Sequence, residues 1–288
     1  DTRWLKPVED LYRRYARWEK YLRNERPLAR VGLVYSQQTA WFHGAKVEDH
    51  TLGWYQALIE ARIPFEMVHD RLLDAAHLNP FQTLILPNIA ALSESQCAQL
   101  CAFVERGGGL VATYETSLYD EWGVKRTDFG LAGLFGITYK GRIEGPMQNS
   151  YLRLETDPTT GTRHPLLLGL EDASRIVNGV RRVEVEGTRP FPHPPLTLIP
   201  SYPDLPMEKV YPRVLKTDVP QAFLSEGSAD VRRLSNDTPH SALRTPHSKG
   251  RVVYFPWDID RTFWEVLSVD HYRLLRNAVV WATNEEPP

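Results

Sequence analysis

Residues 105–116 constrain the fold of this chain more than any other stretch. They read Glu105-Arg106-Gly107-Gly108-Gly109-Leu110-Val111-Ala112-Thr113-Tyr114-Glu115-Thr116. A helix end runs into a triple-glycine stop, then a short apolar strand, then a sharp polar exit. Glycine supplies the backbone that terminates helices, and a strand that is apolar at successive positions has both faces covered. The segment therefore belongs inside a layered α/β sheet. In many α/β enzymes the exit of such a strand carries an attacking Cys or Ser. Here Tyr114 or Glu115 occupies it.

The flanking sequence supports the same architecture. Arg30 to Ser36 is a near-continuous apolar strand, and Gln37 to Asp49 reads as a polar, aromatic loop containing Trp41, Phe42 and His43. Thr51 to Ala61 reads as a helix with Leu52, Tyr55, Leu58 and Ile59 on one side. Phe65–His69 and Thr83–Pro87 read as further strands, the second stopped by Pro87. Ser93 is a suitable N-cap for a helix running to about Arg106. Strands alternating with helices predict a mainly parallel, doubly wound sheet. Ligand crevices of such sheets lie at the carboxyl ends of the strands, here Ser36, Pro87-Asn88 and Tyr114-Glu115.

The two ends of the chain differ from this core. Over residues 3–24, Val8, Leu11, Tyr15, Trp18 and Leu22 recur at alternating steps of three and four, an apolar helical seam that needs a partner. From about Tyr139 prolines cluster and short alternating runs appear, Tyr151–Leu154 and Val183–Val185 among them, so 141–248 reads as a β- and loop-rich insertion. Residues 226–249 read as a polar hairpin or mobile loop. Gly250 to Pro256 returns as a strand of the main sheet, with Asp258, Asp260 and Arg261 at its exit. His271 to Thr283 is the closing helix.

Composition excludes several function classes. A formal net charge of −2 leaves no basic surplus for a nucleic-acid backbone. No apolar run approaches the roughly 20 residues of a membrane span. A soluble protein, cytoplasmic or exported, is expected. The chain starts at Asp1 without a leader, as a processed product or a piece of a longer protein would. Cys97 and Cys101 lie four apart on one helix, which is poor geometry for a disulfide, and read as small core residues. The nine histidines show no tight ligand spacing. No metal and no cofactor are expected, and Gly107-Gly108-Gly109 precedes a strand, so it is not a phosphate loop.

The order strand, helix, strand, strand, helix, Gly-Gly-Gly, strand, elbow resembles the class I glutamine amidotransferase-like fold, a flavodoxin-like three-layer sandwich. Within it, Arg30–Ser36, the block from Leu84-Ile85-Leu86-Pro87 through Gly107–Val111, and Tyr119-Asp120-Glu121 resemble the trimerisation domain of family 42 β-galactosidases and related glycoside hydrolases. The ending Gly250–Asp260 is similar to that of the wider group. The resemblance covers most of 30–140 and 249–285. It implies an amidotransferase-like domain over 30–140 and 249–288, a connector helix over 1–29, and a catalytic TIM barrel ahead of it in the same protein or in another subunit. It also implies a homo-oligomer, and a carbohydrate as the molecule acted on.

A working amidotransferase needs a thiolate at the elbow and a His and a Glu at a later strand exit. Trp257, Asp258 and Asp260 stand there without a His, so glutamine hydrolysis is not expected and no catalytic residue is assigned. The candidate crevice or ligand contacts are Ser36, Trp41, Tyr114, Glu115, Asp120, Glu121, Trp257, Asp258, Asp260 and Arg261. Acids at strand ends commonly cap helices or pair with arginine, and Arg126 and Arg261 are at hand. Trp41, Trp122, Trp257 and Trp264 could stack on sugar faces or build the core. The leading expectation is a non-catalytic accessory and oligomerisation domain. The alternative is an independent sugar or small-molecule binding module, or a hydrolase using Asp120, Glu121, Asp258 and Asp260, since paired carboxyls cleave glycosides.

Overall fold

The structure, a computed structural model, describes residues 2–23, 27–44, 47–191, 193–202, 216–226 and 250–284. The expected hairpin at 226–249 lies outside the described residues except for Glu226. In chain order, helix α1 (Leu5–Leu22) precedes β1 (Val31–Tyr35), α2 (Gln37–Phe42), α3 (Val47–Glu60) and β2 (Phe65–His69). Then come α4 (Ala75–Leu78), β3 (Thr83–Leu86), α5 (Glu94–Glu105), β4 (Gly109–Thr113) and α6 (Ala132–Phe135). Strands β5 (Ile137–Glu144), β6 (Tyr151–Leu154), β7 (Arg175–Val177), β8 (Arg182–Gly187), β9 (Leu196–Ile199) and β10 (Phe223–Glu226) follow. Strand β11 (Arg251–Phe255), α7 (Ile259–Val266) and α8 (Val269–Thr283) close the chain.

The main sheet runs β10-β11-β4-β3-β1-β2. Its five parallel strands stand in the order 2-1-3-4-5, counting β11 as the fifth, which is the flavodoxin-like order. Successive side chains of a strand point to opposite faces, and here each face meets its own core. Val31, Leu33, Ile85, Val111, Val253 and Phe255 pack with Trp54 and Leu58 of α3 and Leu274, Leu275 and Val279 of α8. Val34, Leu84, Leu86, Leu110, Ala112, Val252 and Tyr254 pack with Cys97, Leu100 and Phe103 of α5. Two-sided burial is why these strands are apolar at almost every position. Cys97 is a core residue as expected, its thiol pushed up to about 12 by burial.

The proline-rich stretch is divided between the two faces. The antiparallel sheet β7-β6-β9 extends the first core through Leu152, Leu154, Ile176 and Leu196. The pair β5-β8 extends the second through Ile137 and Val183. Strand β10 belongs to neither. It pairs antiparallel with β11 at the edge of the main sheet, so part of 141–248 completes the sheet rather than standing apart from it. Residues 37–42 also depart from the expectation of a loop. They form α2, because the Ser36 hydroxyl accepts from Thr39 N at 3.0 Å and caps a single helical segment.

Helix α1 follows its apolar seam but buries none of it: Val8, Leu11, Tyr15, Trp18 and Leu22 are all exposed. By contrast α3 and α7 are pressed together. A Cβ on Gly53 would lie 1.9 Å from the Asp260 carbonyl oxygen. Gly53→Ala would gain about 1 kcal/mol of helix propensity, but the obstacle is backbone at a helix start and cannot swing aside. Overpacking at about 1–3 kcal/mol or more therefore wins. A lower urea midpoint with an unchanged m-value is the expected result.

Candidate functional site

The carboxyl ends of β1, β3, β4 and β11 lie at one end of the main sheet, and Tyr114 directly follows β4 there. Its φ of +52° places it in the left-handed region, which is costly for a bulky side chain. Tyr114 is therefore the elbow residue, and Glu115 follows it. The turn is held from three sides. Tyr114 N donates to Phe255 O at 2.8 Å, the Tyr254 hydroxyl donates to Tyr114 O at 2.5 Å, and Glu115 N donates to Asn88 Oδ1 at 3.2 Å. Asn88, itself at φ +47°, lies two residues beyond β3. Burial, with the neighbouring Glu115 carboxylate, raises the Tyr114 phenol far above its ordinary range. It is a poor nucleophile there.

Two polar clusters flank the elbow. The inner one joins three elements. Asp260, at the start of α7, places Oδ1 2.7 Å from His50 Nδ1 on α3 and accepts from the Thr113 hydroxyl of β4 at Oδ2, 2.6 Å away. All three side chains are buried. Burial pulls the His50 pKa down, but the Asp260 carboxylate outweighs it, and the ring titrates above the ordinary histidine value of 6.5. His50 stacks on Tyr114 at 5.9 Å between ring centroids. Here, then, is the histidine that was missing at the second strand exit, supplied from α3. Its oriented nitrogen faces Asp260, and the hydroxyl in the cluster, Thr113, bonds Asp260 rather than the imidazole. The arrangement lacks the nucleophile–base contact of a catalytic triad and works as a clamp of α3, α7 and the sheet.

Asp258 sits beside this clamp. Its Oδ1 accepts from Arg181 N at 3.0 Å and the Thr262 hydroxyl at 3.4 Å. Burial raises its pKa. Arg261 is 4.0 Å away at its closest, and its guanidinium donates to Glu265 instead.

The outer cluster lies at the rim. Glu115 accepts from the Tyr119 hydroxyl at Oε1, 3.0 Å away, and pairs through Oε2 with His43 Nε2 at 2.9 Å. The rings of His43 and Tyr119 lie 4.4 Å apart. Asp120 shapes the adjoining turn, its Oδ1 accepting from Trp122 N and Val124 N. Arg126 pairs with Glu94, not with Asp120 or Glu121.

The anticipated contacts thus separate by burial. Tyr114, Glu115, Asp258 and Asp260 are buried together at the strand ends, where their hydrogen bonds hold the turn and the neighbouring segments. Ser36 is buried as a cap and donates to Asp70 Oδ2 at 2.9 Å. Trp257 is fully enclosed, its indole N–H donating to Gln221 O at 3.0 Å, so it is a core residue and presents no face to a sugar. Trp41 and Trp122 are exposed, and Trp264 is partly so. His43, His50, Asn88 and Tyr119 were not among the anticipated contacts, although Asn88 was read as a strand end, Tyr119 lies in a stretch that carries the family resemblance, and His43 was noted in the segment after β1. Among the described residues no group of side chains has metal-ligating geometry, and no helix is long and apolar enough to cross a membrane.

The fold is a mainly parallel α/β sandwich whose β4 exit carries Tyr114. Residues 29–140 match the family described as the β-galactosidase trimerisation domain. No curated protein sequence matches the chain. Among solved structures, the β-galactosidase of Bacillus circulans sp. alkalophilus is similar at 14% identity with a TM-score of 0.62, over 91% of this chain and 32% of that one. The α-L-fucosidase isoenzyme 2 of Paenibacillus thiaminolyticus is similar at 16% identity with a TM-score of 0.62, over 96% and 36%. The cold-adapted β-galactosidase of Rahnella sp. R3 is similar at 14% identity with a TM-score of 0.59, over 90% and 32%. At these identities the likeness is one of fold. The chain spans about a third of the length of these enzymes.

Proposed function

We propose that this chain is the non-catalytic accessory and oligomerisation domain of a glycoside hydrolase, acting beside a catalytic barrel in the same protein or in another subunit. The observation that carries the reading is the elbow: the scaffold presents Tyr114 in the left-handed conformation where an attacking group would stand. The family match over 29–140 supports it, as does the unburied seam of α1, which suits the connector to a barrel. In this reading the scaffold is amidotransferase-like with its reagent replaced. Ser36, Tyr114, Glu115, Trp257, Asp258 and Asp260 support the strand ends, while Trp41, Glu121 and Arg261 face a partner or a carbohydrate.

Light scattering gives the test, paired with aryl-glycoside assays on this chain and on the longer protein containing it. A defined oligomer without turnover is expected from the chain, and turnover only when a barrel is present. Strong glycosidase activity in the chain alone would sink the reading.

A further inference from the structure

The outer face of the small sheet β7-β6-β9 carries a charge arrangement that the fold does not require. Leu152, Leu154 and Ile176 belong to the first core, so Arg153 on β6 and Arg175 on β7, which alternate with them, share the opposite face. The two arginines are register partners. Leu154 N donates to Ser174 O at 3.1 Å, which makes Leu154 and Ser174 a hydrogen-bonded pair. Arg153 and Arg175 are then the non-hydrogen-bonded pair beside it, the class whose side chains lie closer together. Like charges directly opposite one another destabilise a sheet. A single outward charge on β7 is enough to guard that edge strand. A second one facing it from the central strand β6 brings repulsion that edge protection does not call for.

A third guanidinium stands in the same place. Arg153, Arg163 and Arg175 all line one cavity of about 460 Å³, with Glu155, Thr156 and Ser174 beside them. Arg163 is fixed there. It donates to Leu170 O, Glu171 O and Ala173 O at 2.6, 3.3 and 2.9 Å, and those bonds to neutral carbonyls leave further N–H groups of the fork open. Glu155 is the one carboxylate of the cavity wall among the described residues. It lies 3.3 Å from Arg153 Nε and also accepts from the Thr197 hydroxyl at 2.7 Å. Among the described residues nothing pairs with Arg175. Three guanidiniums against one carboxylate leave positive charge in excess, inside a concavity where charge of one sign focuses the field and concentrates counter-ions. An oxyanion both relieves the repulsion and fills the open donors, since the guanidinium fork matches carboxylate, sulfate and phosphate. A neutral molecule does only the second.

We propose that this cavity is a binding site for an oxyanion group, a carboxylate, sulfate or phosphate, held between Arg153 and Arg175 with Arg163 as the fixed third donor. The site belongs to a different sheet from the elbow, and it stands whether or not the chain is an accessory domain. That reading fails on turnover, whereas this one fails on anion binding, so the two outcomes are separable.

The probes are sodium sulfate, sodium phosphate and sodium D-glucuronate, with D-glucose as the neutral control. They are titrated into the isotope-labelled full chain at low ionic strength, where screening is weakest. The arginine Nε–H signals are followed, those of Arg153 and Arg175 being assigned by their loss in Arg153→Gln and Arg175→Gln. A saturable shift of both signals with Kd on the order of 1 mM is expected for at least one anion, and none for D-glucose. By calorimetry Arg175→Gln should weaken binding about tenfold, the loss of one charge-assisted hydrogen bond. Arg175→Lys, which keeps the charge without the fork, should recover part of it. Arg175 is exposed, so its substitution leaves the fold intact by circular dichroism. Tighter binding of glucuronate names an acidic carbohydrate as the source of the anion, and tighter binding of sulfate or phosphate names an inorganic ion or its ester. Signals that none of the three anions moves overturn the proposal. So does binding that Arg153→Gln and Arg175→Gln both leave unchanged, or a response to D-glucose equal to that of glucuronate.

Discussion

Replacing Asp260 with alanine should lower stability by about 3–5 kcal/mol, because it leaves a buried imidazole without its counter-charge. The carboxylate satisfies His50 on α3 and the Thr113 hydroxyl on β4 at once, so its loss loosens a helix pair and its seat on the sheet together. The effect should depend on pH in a defined sense. The folded His50 pKa is raised above 6.5, so its stabilising contribution is fully present below the unfolded value and is lost as pH rises through the folded one. Without Asp260, burial is the largest influence on His50, helped by Arg261 and only partly opposed by the Asp258 carboxylate, so its pKa falls and the sign reverses. The gap between wild type and Asp260→Ala should be widest near pH 6 and below, and should narrow as the pH climbs past the folded His50 value. Urea midpoints across that range measure it. Asp260→Asn keeps an acceptor for Thr113 and should cost less while still flattening the dependence. A constant gap at every pH would show that His50 and Asp260 are coupled by packing alone.

This clamp marks the limit of what was legible in the sequence. The parallel strands could be read because each is apolar on both faces, and the helix after Ser93 because its capping box is local: Ser93 accepts from Gln96 N, and Gln96 Oε1 accepts from Ser93 N. The seam of α1 was legible as well, though not what covers it. Three features were hidden for distinct reasons. Helix α2 is six residues long, too short to show a period. Strand β10 has four residues inside a proline-rich stretch, and only its pairing to β11 makes it part of the main sheet. The polar clusters join residues 210 apart at His50–Asp260 and 72 apart at His43–Glu115. A histidine that meets its carboxylate only through the topology leaves no local pattern. The absence of a His near Asp258 was read correctly along the chain, yet in space the place was filled from α3. The elbow fared better. Both Tyr114 and Glu115 fitted the exit, and the positive φ of Tyr114 separates their roles: Tyr114 makes the turn, and Glu115 turns toward the rim.

Trp257→Ala should be comparably severe, at about 3–5 kcal/mol, and for a reason that excludes a role in ligand stacking. The indole is fully buried. Its ring meets Phe255 edge-on at 6.2 Å and His271 at 5.5 Å. On another side, a Cβ on Gly179 would lie 2.8 Å from the indole carbon Cε3. Truncation would open a cavity where β11, α8 and the segment before β8 meet, and it would strip the Gln221 carbonyl of the donor now 3.0 Å away. An unsatisfied buried acceptor adds about 1–3 kcal/mol, part of it relieved if water enters the cavity. Trp257→Phe separates the two contributions, since it keeps most of the ring volume and removes the N–H. It should cost less than alanine but more than a volume change alone, and denaturant melts of the three proteins would place it.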